Sequence, residues 1–67
     1  MIIEIYNNFE AAGIQIQDQK IKNGIVFGSH PTGYTTLDIY VNGKLKIWFY
    51  INHWQEVLEE YQNIFQK

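Results

Sequence analysis

The 67-residue chain has no cysteine, no arginine and a single proline, and no apolar run in it approaches the ~18 residues of a membrane span. Without cysteine there are neither disulfides nor a thiolate zinc site to supplement a core. A chain this short buries only ~60% of the surface that its unfolded form exposes. Stability therefore has to come from packing, with self-association as an aid, and a homodimer is expected. Met1-Ile2-Ile3 is followed at once by Glu4, which does not match the basic-then-apolar layout of a secretory signal. These absences predict a cytoplasmic protein with no membrane partner.

The composition that remains suits one folded domain spanning residues 1–67. Hydrophobic residues make up 46% of the chain and aromatics 16%, unlike the apolar-poor, highly charged make-up of disordered segments. Five lysines against seven acidic residues leave a net charge of -2. Eleven Ile, six Asn and the use of Lys to the exclusion of Arg match the codon bias of an AT-rich genome, such as a low-GC bacterium or its phages.

The clearest element is the last. Trp54, Val57, Leu58, Tyr61, Ile64 and Phe65 recur at the spacing of an amphipathic helical stripe, predicting a helix from about His53 to Phe65. Asn52 is placed to accept a backbone N–H as N-cap, with Gln55 completing an Asn version of the capping box. Glu56, Glu59 and Glu60 fall in the first turns, where the helix dipole favours negative charge.

Upstream, the alternating segments 34–41 and 44–51 flank Asn42-Gly43, a strong hairpin signal. A two-residue turn would pair Val41 with Lys44 and Ile39 with Lys46, mixing apolar and charged residues on both faces. A three-residue connection with a bulge pairs Val41 with Leu45, Ile39 with Ile47 and Leu37 with Phe49, giving one apolar face. Burial of such side chains at ~1.5–3 kcal/mol each outweighs a turn preference, which favours the bulged register. A second Asn-Gly, Asn23-Gly24, between 14–22 and 25–28 predicts an earlier hairpin with a bulge or bend near Asp18. Gly28 to Gly33 reads as the one long loop. Ile2, Ile5, Tyr6 and Phe9 fit a helical stripe stopped by Ala11-Ala12-Gly13, although 2–6 also fits a short strand turned by Asn7-Asn8; helix is preferred. The expected fold is α+β: an antiparallel meander of about four strands with two Asn-Gly hairpins, packed against a C-terminal helix, with an N-terminal helix as the less marked element.

No constellation specifies a reaction, and a non-enzymatic protein is expected. Ser29-His30 and Asp38 supply the residue types of a nucleophile, base and orienting acid, but adjacent residues rarely place Ser and His side chains in contact. His30, His53 and Glu56 lack a metal-ligand spacing, and the 28–33 loop lacks the Lys and hydroxyl ending of a phosphate loop. No cofactor or metal is expected.

The remaining signal is aromatic. Tyr40, Trp48 and Tyr50 share the polar face of the hairpin with Lys46, a hot-spot composition if that face is left open and a second small core if residues 1–12 cover it. The open alternative predicts a protein-binding module, an accessory or inhibitor protein of a phage or mobile element that blocks a host or defence protein. Tyr40, Trp48, Tyr50 and Lys46 form its first contact set; Glu56, Glu59, Glu60 and His30 form a second surface. Lys44 and Lys46 interleaved with Trp48 and Tyr50 also match a single-stranded nucleic-acid binder, which the net negative charge and the absence of Arg disfavour.

Overall fold

The computed structural model describes residues 2–65, with side chains from Ile3 onward. Helix α1 (Ile2–Ala11) is followed by strands β1 (Ile16–Gln17), β2 (Gly24–Ser29), β3 (Thr35–Val41) and β4 (Lys44–Tyr50), and by helix α2 (Trp54–Phe65). The four strands form one sheet in the order β1-β2-β3-β4. This is the expected α+β class, with the N-terminal segment helical.

Helix α1 presents Ile5 and Phe9 to the interior and stops at Gly13, whose φ of 78° is a conformation that glycine adopts without a Cβ penalty. The amides of Gly13 and Ile14 bond the carbonyls of Glu10 and Phe9 at 2.9 and 2.8 Å, the paired bonds of a Schellman ending. Ile14 and Phe9 are both buried in the core, so the stop also locks β1 to the helix.

Both helices lie on the same face of the sheet. Ile25, Leu37 and Ile39 are sealed from solvent there with Ile5, Phe9 and Val57, and Ile47, Phe49, Leu58 and Tyr61 pack around them. The 3-10 turn Ile51–His53 leads from β4 into α2. Ile51 and Trp54, three residues apart and therefore on one side of such a turn, both reach the core. Consequently Asn52 lies inside the turn and His53, not Asn52, precedes the first residue of α2; the expected capping box is replaced by this hydrophobic anchoring.

Three expectations about the sheet are corrected. The Asn23-Gly24 segment is not a hairpin, because β1 runs parallel to β2, pairing Ile16 with Ile25 and Gln17 with Val26. A parallel return ordinarily needs a dozen or more residues, yet 18–23 suffices because β1 is only two residues long. Asn23 does not adopt positive φ; instead its Oδ1 accepts the Asn42 amide at 2.9 Å, and the Lys22 carbonyl accepts the Gly43 amide at 2.7 Å. The chain does bend at Asp18, as its parity requires.

The second correction concerns the β3–β4 turn. Leu37 pairs with Phe49 and Ile39 with Ile47 as expected, but Asn42 and Gly43 form a two-residue turn with φ of 54° and 80°. Val41 then faces Lys44 and Tyr40 faces Leu45, and the extra residue is Lys46. Placing the bulge there keeps both the preferred turn and the apolar register, so neither is sacrificed. The third concerns the 28–33 loop, most of which is a strand and a tight turn. Gly28 and Ser29 pair with Thr36 and Thr35, and the His30 carbonyl accepts the Gly33 amide at 2.8 Å across Pro31-Thr32. Pro31 at the second turn position and Gly33, with φ 93°, at the fourth are what such a turn requires.

Leu37→Ala is expected to cost about 2–5 kcal/mol, comparable to the whole stability of a domain this small. Ile3→Ala, at a residue 75% exposed, should stay within about 0.5 kcal/mol. Urea titrations followed by circular dichroism compare the two.

Candidate functional site

Because both helices take one face, no helix among the described residues covers the other; the Ile21 side chain reaches over its β2 side at Gly24, and Val26 is buried there. Residues 3–12 do not form a second core over it: Phe9 of α1 packs against Trp54 with ring centroids 6.3 Å apart, and Tyr6 packs against Phe27 at 5.5 Å, on the helical side. Strand alternation sends Gly24, Val26 and Gly28 of β2 to the open face, with Thr36, Asp38 and Tyr40 of β3 and Leu45, Trp48 and Tyr50 of β4. Two of the three β2 positions are glycine. The face is therefore low at the Gly28 end of β2 and walled by aromatics along β4.

The turn after β2 adds to that wall. Pairing of His30 with Tyr34, whose carbonyl accepts the His30 amide at 2.8 Å, puts both side chains on the open face. The His30 ring lies 5.3 Å from Trp48 and 5.6 Å from Tyr50, Trp48 and Tyr50 meet edge-on at 5.1 Å, and Tyr34 joins Tyr50 at 5.5 Å. His30 Nδ1 accepts the Thr32 amide at 3.3 Å and lies 2.9 Å from the Thr32 hydroxyl. In the neutral ring this arrangement assigns the proton to Nε2.

Between these rings and β3 is a cleft of about 280 Å³, bounded by Ser29, His30, Pro31, Thr36, Asp38, Leu45 and Trp48. At its floor the buried Thr36 hydroxyl donates to Asp38 Oδ1 at 2.7 Å. The other carboxylate oxygen leans over Gly28, where a methyl group would collide with it and with the Thr36 hydroxyl. The space at position 28 is thus filled by these two side chains, which an added Cβ would have to displace.

Of the expected contact residues, Trp48 and Tyr50 are brought together and Tyr40 shares their face beside Leu45, half-buried. Lys46 is exposed at the bulge, at the edge of the face. His30 belongs to the aromatic cluster and is separated by the sheet from Glu56, Glu59 and Glu60, which ride on α2. Glu56 instead lies 3.7 Å from His53 Nδ1, an exposed contact that contributes little. Asp38 is held by Thr36, and His30 by Thr32; among the described residues no hydrogen bond links Ser29, His30 and Asp38 into a relay. Among the described residues no group of three or more His, Asp or Glu converges as metal ligands, and no helix of theirs is long and apolar enough to cross a membrane.

Tyr34 and Leu45 are members of the site that the sequence reading passed over, whereas strand alternation already puts Thr36 and Asp38 on this face. The Pro31-Thr32-Gly33 spacing, read as a tight turn, extends the strand alternation to Tyr34; Leu45 depends on the position of the bulge.

No family model, no curated protein and no solved structure matches the chain. The site has to be read from its own geometry.

Gly28→Ala is expected to cost about 1–3 kcal/mol through overpacking against Asp38 and Thr36. That is a fall in Tm of several degrees for a domain of this size. The neighbouring Ser29→Ala should stay within about 0.5 kcal/mol. Thermal melts of the two variants test this.

Proposed function

We propose that this chain is a non-enzymatic protein-binding module whose contact surface is the open sheet face. The observation that carries the reading is the exposure of large apolar groups there: Tyr34 at 65%, Leu45 at 49% and Trp48 at 39%, three of the five exposed large hydrophobics among the described residues. Grouped side chains of this size on one surface, with Trp and Tyr at its centre, have the composition of interface hot spots. The rigid backing of a four-stranded sheet lowers the ordering cost on binding.

The biological part of the proposal is an accessory or inhibitor protein of a phage or mobile element, acting in the cytoplasm by covering a surface of a host or defence protein. Its support is the small acidic chain and the AT-rich residue usage. Nucleic acid is the weaker partner because Asp38 stands on the same face, directly across from Trp48, where it would repel a phosphate backbone.

A homodimer belongs to the same proposal. Lys44, Lys46 and the bulge guard the β4 edge against strand addition, so two copies would meet through their open faces, in competition with a partner.

Trp48→Ala is expected to weaken partner capture about 30-fold, equivalent to roughly 2 kcal/mol, with Glu59→Ala changing it less than twofold. Capture from low-GC bacterial lysate at moderate salt, followed by affinity measurement on the captured protein, makes the comparison. Unchanged capture by Trp48→Ala would refute the reading, and quenching of Trp fluorescence by oligonucleotides at low salt would replace it with nucleic-acid binding. For the homodimer, sedimentation should show a concentration-dependent dimer that Trp48→Ala dissociates; a monomer at all concentrations rules it out.

A further inference from the structure

We propose that the cleft between the His30–Trp48 wall and β3 receives one arginine side chain of the partner protein. The inference rests on the open face being a protein-binding surface, and adds the chemistry of what that surface reads.

The floor of the cleft is negative. Asp38 is half-buried and has one oxygen held by the Thr36 hydroxyl, while the second lies over the space that Gly28 leaves. Among the described residues no lysine pairs with it; the ion pair found there joins His53 and Glu56 on the other side of the molecule. A carboxylate drawn partly out of water, with no cation of its own, attracts one more strongly than a fully solvated carboxylate does. Ligand charge complementary to this floor is therefore positive.

The walls select among cations. The His30 and Trp48 rings are inclined at 42° with centroids 5.3 Å apart, and Tyr50 stands behind them, nearly perpendicular to Trp48. Aromatic faces attract cations, and arginine more often than lysine is the cation found over them. A guanidinium is planar and weakly hydrated, so it can stack on a ring while its edge donates to a carboxylate; an ammonium is a strongly hydrated point charge that gives up more on entering. Leu45 at the rim adds apolar surface for the methylene stem.

Size and composition narrow the occupant further. At about 280 Å³ the cleft has room for a single long side chain. The chain itself contains no arginine, so a second copy of these residues can cover the aromatics but cannot supply the guanidinium. The cleft therefore favours a different protein over self-association.

The test follows the indole N–H signals of Trp48 and Trp54 by NMR during titration with a blocked Gly-Arg-Gly tripeptide and its citrulline and lysine counterparts. Trp54, packed in the core against Phe9, reports the integrity of the fold. A saturable shift of Trp48 alone is expected with millimolar arginine peptide. Asp38→Asn, which preserves the acceptor for Thr36, should weaken it about tenfold or more, and the citrulline and lysine peptides should bind several-fold more weakly. No saturable shift with the arginine peptide, equal binding of citrulline or lysine, or an Asp38→Asn protein that binds as tightly would each overturn the proposal. Failure of the underlying reading looks different: partner capture that Trp48→Ala leaves unchanged would remove the protein-binding face itself, whereas capture that Trp48→Ala abolishes and Asp38→Asn leaves intact would retain that face and remove only the arginine.

Discussion

Ile25, Leu37 and Ile39 stand together on the two central strands, each fully withdrawn from water, and both helices are placed by what they can bury against them. Ile5 and Phe9 bring α1 to this patch, and Val57 brings α2. With each buried aliphatic or aromatic side chain worth about 1.5–3 kcal/mol, a chain of 67 residues has material for one such layer. Its remaining large apolar groups cannot build a second layer without another element to cover them. The open face is the consequence, and the aromatic cluster occupies it.

The rest of the structure serves the register of those central strands. The Schellman ending at Gly13 turns the chain so that Ile14 and Ile16 enter the same core that Phe9 has just filled. The bulge at Lys46 keeps Ile47 and Phe49 facing the helices while allowing Asn42-Gly43 its preferred tight turn. The same one-residue adjustment moves Leu45 to the open face, beside the cleft. The Asn23 segment, freed from hairpin pairing, braces the Asn42-Gly43 turn through two hydrogen bonds. Lys22 and Lys44 consequently gather at that end of the molecule, while Glu56, Glu59 and Glu60 lie on α2, so the net charge of -2 is an uneven distribution.

On the open face, the absence of side chains matters as much as their presence. Gly28 gives up its Cβ so that Asp38 can lean over β2 and meet Thr36. His30, held through Nδ1 by the turn it begins, extends the aromatic wall across to Trp48 and Tyr50. A carboxylate floor beside an aromatic wall is an arrangement of charge and polarizable surface that suits a planar cation.

What the sequence by itself determined is local. The stripe 54–65, the Phe9-Gly13 stop, the pairing of Leu37 with Phe49 and of Ile39 with Ile47, and the membership of Trp48 and Tyr50 in one face all follow from periods of 3.6 and 2 and from turn chemistry. Tertiary structure decided what those periods leave undefined. Alternation says that a strand has two faces, but not which one a distant helix will cover, and α1 took the same side as α2 because the aliphatic row was there to bury it. An Asn-Gly pair permits a hairpin without compelling one, and at Asn23 the competing bonds came from a turn nineteen residues away. The Asp38 cleft was the least legible feature of all. It depends on three strands and a turn meeting at one place, through contacts that no local pattern encodes.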